Sequence, residues 1–282
     1  MKHLFNLKYI FIASLLIIFS SCVEKPFYQP TKKVYRTPEA YKLKYEEIVF
    51  KSEDGTELSG WFMPAEGKAK GTVIQFHGNA QNMTSHFIFG AWLPKYNYNF
   101  FVFDYRGYGK SKGTPSRDGI YQDSVAALEY VINRKGIDND KIIVLGQSLG
   151  GAKAIAVLGN KHYPQVKGLI IDSAFASYKK VASDALRHTS VSSIATPASS
   201  VFVSDKYQPL KAIKEIKNIP KVFIHGTHDP VVQYKHGVAL FNAAQQPKQF
   251  LTLKGAGHVE AFSKYARVVI PKIYPILNKW VE

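Results

Sequence analysis

The chain has 282 residues, 46% of them apolar, a net charge of +16 and a single cysteine. One cysteine excludes an intrachain disulfide, and the basic balance favours anionic surroundings such as lipid headgroups or acidic polysaccharide. The lysines are scattered and no nucleic-acid-binding motif accompanies them, so no nucleic acid is expected as a partner.

Residues 1–22 read MKHLFNLKYIFIASLLIIFSSC. Lys2 and Lys8 form a positive leader, an apolar run from Tyr9 to Phe19 is broken only by Ser14, and Ser20, Ser21 and Cys22 close it with small residues. That is the layout of a secretory signal over residues 1–21, and the run is shorter than the roughly 20 apolar residues of a membrane span. The length after it, about 260 residues, suits one large α/β domain. Cys22 directly after Phe-Ser-Ser resembles a bacterial lipobox, with Phe19 where Leu is usual. The resemblance implies cleavage before Cys22, lipidation of its thiol, and anchoring in the cell envelope. Val23 in place of Asp favours the outer membrane over the inner. An ordinary cleaved signal with a free thiol is the alternative.

Residues 22–43 carry Pro26, Pro30 and Pro38 without hydrophobic periodicity and read as a lipidated tether or irregular arm. The domain is expected over 44–282. Tyr45–Lys51 and Leu58–Met63 flank the turn pair Asp54-Gly55 and read as an antiparallel hairpin. Buried strands follow at Thr72–Phe76 (TVIQF), Phe100–Asp104 (FFVFD), Lys141–Leu145 (KIIVL), Val166–Ile171, Lys221–His225 (KVFIH) and Gln249–Leu253. Between them, helical spacing marks Arg117–Arg134, Leu149–Leu158 and Gln233–Ala244, and a tail helix from about Glu260 to Trp280 disturbed by Pro271 and Pro275. This alternation predicts a mainly parallel, twisted sheet of about eight strands covered by helices on both faces. One stretch breaks the rhythm: residues 173–218, rich in Ala, Ser, Thr and Val around Thr189–Val203, read as a small helical cap.

The strongest local signal is Gly146-Gln147-Ser148-Leu149-Gly150-Gly151, between the KIIVL strand and a helix. A G-x-S-x-G run in that context is a nucleophile elbow, a sharp turn that lifts the serine hydroxyl above the sheet. A serine hydroxyl needs a base. His258, in Gly-Ala-Gly-His after the last strand, is placed to act as one. Asp229, in His225-Gly-Thr-His228-Asp229 after the KVFIH strand, is placed to orient it. Asp172 is the substitute acid, and His77, His225 and His228 read as turn or surface histidines. The amide of Leu149 and the amide of Asn79, in the loop His77-Gly78-Asn79-Ala80, are the expected oxyanion donors, with Ala80 the neighbouring alternative; losing one such donor typically costs about 3 kcal/mol.

The run Asp104-Tyr105-Arg106-Gly107-Tyr108-Gly109-Lys110-Ser111 invites a phosphate-loop reading. It fails, because that motif needs Gly where Asp104 stands. The run reads as a tight turn in which Arg106 braces loops near the site. No metal-ligand spacing is present.

The set HGNA, DYRGYGKS, GQSLGG, HGTHD and GAGH resembles the α/β-hydrolase superfamily over residues 44–282, and more narrowly its ABHD-type and serine-aminopeptidase-like branch. The resemblance implies a serine hydrolase acting on carboxylic esters or thioesters through an acyl-enzyme, without a cofactor. The expected partners are a small-molecule or lipid-like acyl substrate and the membrane that holds Cys22. A peptidase or amidase of the same fold, or a catalytically idle binding scaffold, are the competing readings.

Overall fold

The computed structural model describes residues 27–186 and 203–282. The expected export signal, Cys22 and the middle of the expected cap lie outside the described residues.

Eight strands form one sheet. They are β1 (Glu46–Lys51), β2 (Glu57–Met63), β3 (Thr72–Phe76), β4 (Asn99–Phe103), β5 (Ile142–Gln147), β6 (Val166–Asp172), β7 (Lys221–Gly226) and β8 (Lys248–Leu253). Their spatial order is β8-β7-β6-β5-β3-β4-β2-β1. The strands from β3 to β8 run parallel, and the hairpin β1–β2 adds the antiparallel edge. Five helices of two turns or more accompany them among the described residues: α1 (Arg117–Ile132), α2 (Leu149–Asn160), α3 (Tyr178–Leu186), α4 (Tyr234–Ala243) and α5 (Ala266–Val281). The parallel strands from β3 to β7 are buried along almost their whole length because helices cover both faces, which is why they read as continuous apolar runs, while the edge strand β8 is only partly covered. Side chains still alternate. Ile74 and Phe76 enter the core shared with α1, α2 and α4, while Val73 enters the core closed by Val269, Ile273 and Leu277 of α5. This is the α/β-hydrolase fold.

The chain leaves β3 for β4 on one side and returns to β5 on the other, so the strand order reverses between β3 and β5. In such a sheet the crevice at the carboxyl ends beside the reversal is where ligands bind. Ser148 follows β5 at that point.

Two regions, the arm and the tail helix, depart from the sequence-based expectations. The arm is not a free tether from residue 27 onward. Gln29–Pro30 pairs in parallel with Ala80–Gln81, and Tyr28 and Leu43 are buried. Proline-rich sequence without periodicity hid this, because the arm is held by hydrogen bonds to loops rather than by an apolar stripe. The tail helix starts at Ala266, not Glu260, and runs through Pro271 and Pro275, both on its solvent face, while Val269, Ile273, Leu277 and Val281 bury the opposite one. The described parts of the cap region lie against the core. Tyr178 and Val181 of α3 are buried, and the one-turn helix Pro209–Ala212 packs on α2 so closely that a Cβ on Gly159 would meet the Ala212 carbonyl oxygen at 2.4 Å. No helix among the described residues is long and apolar enough to cross a membrane.

Candidate active site

Ser148 occupies a turn that only close packing can hold. Its backbone lies at φ 53°, ψ −115°, outside the regions a serine ordinarily adopts, and such a conformation costs on the order of 1–3 kcal/mol. Two glycines make the turn possible. A Cβ on Gly150 would sit 1.9 Å from the Phe76 carbonyl oxygen, and one on Gly146 would sit 2.6 Å from Gly151 Cα. The turn is fixed by Ser148 N–H donating to Asp172 O at 2.9 Å and by Ala152 N–H donating to Ser148 O at 3.1 Å, the first link of α2.

Ser148, His258 and Asp229 meet. His258 Nε2 lies 3.0 Å from Ser148 Oγ, and His258 Nδ1 lies 2.7 Å from Asp229 Oδ2. The other carboxylate oxygen, Oδ1, accepts the backbone N–H groups of Val231 and Val232 at 2.9 and 2.8 Å. Burial drives the Asp229 carboxyl upward. Hydrogen bonds with His225 and His258, electrostatic attraction to the His258 ring and the Val232 amide outweigh it and hold the group below the usual carboxylate range. Asp229 is therefore ionised at neutral pH. With the carboxylate as acceptor, the proton of neutral His258 sits on Nδ1, leaving the Nε2 lone pair toward the serine hydroxyl. Val259, next to His258, is held at φ 55° with its N–H donating to Ser173 Oγ at 3.2 Å, a tie that fixes the histidine loop to the end of β6.

Asp172, the alternative acid, is bonded elsewhere. Its oxygens accept from Gln147 Nε2 at 3.1 Å and Ser173 Oγ at 3.0 Å inside the sheet. His228 is exposed, and His225 Nε2 lies 3.4 Å from Asp229 Oδ2 and 2.8 Å from the Val232 carbonyl oxygen. Arg106 clamps Asp123 of α1 and Asp54 of the hairpin turn, at 2.8 and 2.7 Å, so it braces the scaffold rather than the site.

The Asn79 backbone N–H follows Gly78, where an added Cβ would lie 3.8 Å from Ser148 Cβ, and the Leu149 N–H opens α2 directly after Ser148. Among the described residues neither donates to a backbone carbonyl. For Leu149 this follows from its place at a helix start, where the first N–H groups have no intrahelical partner. Gly78 separates the Ser148 side chain from a histidine that the sequence did not single out. A Cβ at Gly78 would be 3.2 Å from His86 Cε1 and 3.8 Å from Ser148 Cβ. Burial, reinforced by His77, pushes the His86 imidazole down to about 3. His86 is thus neutral, and its Nε2–H donates to Ala80 O at 2.9 Å. It sits in a one-turn helix, Met83–His86, too short for any periodic signal.

Residues 67–211 match the protein family described as serine aminopeptidase, S33. The chain belongs to this family of α/β hydrolases. It is 36% identical over 241 residues to the uncharacterized protein YfhR of Escherichia coli K12, covering 84% of this chain and 80% of that one. It is 31% identical over 224 residues to the human alpha/beta hydrolase domain-containing protein 17B, covering 78% and 72%. Among solved structures, the Pyrococcus furiosus esterase Pf2001 superposes with a TM-score of 0.75 at 22% identity, covering 90% of this chain and 97% of that one; at that identity the likeness is one of fold. Family and fold together make this chain a hydrolase.

Proposed function

We propose that the chain is a serine hydrolase that cleaves carboxylic ester or thioester bonds through an acyl-enzyme. The observation that carries this reading is the unbroken line from Asp229 Oδ2 through His258 to Ser148 Oγ, with steps of 2.7 and 3.0 Å. Ser148 Oγ attacks the acyl carbonyl carbon while His258 Nε2 takes its proton. Asp229 stabilises the imidazolium so formed. The negative charge on the carbonyl oxygen falls between the Asn79 and Leu149 amides. Collapse expels the alcohol or thiol, which receives the proton from His258. A water then repeats the sequence on the acyl-serine and releases the acid.

Lipidation of Cys22, itself part of this proposal, would bring acyl substrates held in a membrane surface within reach. If Cys22 carries lipid, the five residues from it to Phe27 reach at most about 18 Å, so the anchor and the arm beside the Asn79 loop lie close together. The family description favours a second reading, cleavage of an aminoacyl amide, for which the same serine chemistry serves.

A fluorophosphonate probe tests the reading. Stoichiometric labelling of the folded protein, abolished in Ser148→Ala, is expected. A panel of esters, thioesters and aminoacyl amides graded by acyl length then separates the two substrate classes. Folded protein that resists the probe refutes the serine mechanism, and turnover confined to aminoacyl amides refutes the esterase assignment.

A further inference from the structure

We propose that the arm over residues 27–36 belongs to the catalytic apparatus. The Phe27 backbone carbonyl, acting through the side chain of Asn79, sets the loop that supplies one oxyanion donor. Phe27, Asn79 through its side chain, and Tyr108 are then positioning residues for hydrolysis. This rests on the serine-hydrolase reading above.

The sheet order places β5 between β3 and β6, so the elbow at Ser148 is flanked by the loop after β3 and the loop after β6. Phe27 touches both. Its carbonyl oxygen accepts a hydrogen bond from Asn79 Nδ2 at 2.5 Å. Its ring packs against Phe175 and Tyr178, after β6, at centroid distances of 6.3 and 5.7 Å. The other end of the Asn79 amide is also taken, since Asn79 Oδ1 accepts from Tyr108 Oη–H at 3.0 Å. A planar amide gripped at both ends fixes the side-chain torsions of Asn79, and with them the orientation of its backbone N–H.

The grip is transmitted by an arm that is itself zipped down. Gln29 and Pro30 pair with Ala80 and Gln81, and Thr31 N–H donates to Gln81 O at 3.1 Å. Thr31 O accepts from Gly109 N–H at 3.0 Å and from Asn82 Nδ2 at 2.9 Å. Asn82 Nδ2 also reaches Lys33 O at 2.8 Å, and Tyr35 N–H donates to Thr84 Oγ1 at 3.0 Å. The arm thereby makes an added strand along the loop after β3. Ala80 O also accepts from His86 Nε2–H, and Ala80–Gln81 pair with Gln29–Pro30 in a two-stranded sheet apart from the main one. An oxyanion donor acts only within a few tenths of an ångström of its target position. A loop outside the sheet needs an external brace to hold that tolerance, and the arm is the brace. It lies wholly outside residues 67–211, the part that matches the family.

The test uses the full-length protein with p-nitrophenyl butyrate. Asn79→Leu keeps the backbone amide and removes both side-chain hydrogen bonds. By the sensitivity of reaction rates to sub-ångström misplacement, kcat should fall about 10- to 100-fold while KM changes less than about threefold. Phe27→Ala should lower kcat about tenfold, and Phe27→Leu should restore most of it. The pH profile of kcat/KM, which reports the Asp229–His258 pair, should keep its shape in all of them; a purely structural lesion would alter it along with KM. Tyr108→Phe removes one hydroxyl and provides the decision if Asn79→Leu fails to fold, with about a three- to tenfold loss in kcat expected. Wild-type kcat in folded Tyr108→Phe and Phe27→Ala overturns the positioning role. Wild-type protein with neither turnover nor fluorophosphonate labelling overturns the hydrolase reading itself, and the positioning role with it.

Discussion

Asp229 is the residue whose environment says most about the chemistry. Its carboxylate is fully buried yet ionised, because it accepts two backbone amides and the His258 imidazole. Its folded pKa lies below the ordinary carboxylate value, so the stability it contributes is present above that ordinary value and is lost only as the pH falls through the lower, folded one. Protonation of Asp229 therefore does not set the acid limb of activity. Asp229→Asn should lower kcat by about 10³- to 10⁴-fold, since the amide cannot hold the Nδ1–H tautomer of His258. Steady-state kinetics on an activated ester measure this, and a loss smaller than tenfold would show that another acid, Asp172 foremost, does the work. Sequence alone left Asp172 open. It follows its strand just as Asp229 does, and only the coordinates show it turned inward to Gln147 and Ser173.

At the scale of elements, the elbow and the strand beside it form one unit. Gly150 lies so close to the end of β3 that an added methyl would meet the Phe76 and His77 carbonyl oxygens at 1.9 and 2.6 Å. These are backbone atoms and cannot rotate away. Gly150→Ala should destabilise the protein by about 3 kcal/mol, as overpacking against fixed backbone does, and should displace the His77–Ala80 loop from Ser148. Urea denaturation gives the first effect and the rate of fluorophosphonate labelling the second. The strand–turn–helix pattern was legible in the sequence because its glycines and its apolar runs are local. The arm was not, because its partners are loop carbonyls and Asn side chains more than 40 residues away, and nothing in its own spacing announces them.

For the molecule as a whole, the basic charge is mostly a solvated surface, but Lys221 is an exception. It opens β7 almost wholly buried, donating to Ile216 O and Ile219 O at 3.0 and 2.6 Å. Burial, with Lys248 adding to it, lowers its pKa from 10.5 to about 8. Between those two values the unfolded chain binds the proton and the folded chain does not, so stability rises with pH across that window. The gain amounts to roughly 3 kcal/mol at most. Lys221→Met should flatten this part of the curve. Urea midpoints of the wild type and the variant, compared between pH 7.5 and 10.5, would show the same slope if the ammonium were in fact solvated.

What the sequence determined by itself is everything that rests on near neighbours in the chain. The eight strands, the helices between them, the elbow around Ser148 and the chain order of Ser148, Asp229 and His258 follow from residue period, turn residues and glycines, which act within a few positions. The tertiary structure decided what depends on direction and distance between remote segments. It joined Asp229 rather than Asp172 to His258 by a hydrogen bond, set the neutral His86 behind Gly78, turned Arg106 to the scaffold, and laid residues 27–36 along the loop after β3. Those choices are made by hydrogen bonds and packing across the folded chain, and a linear pattern carries no record of which remote partner a polar side chain will find.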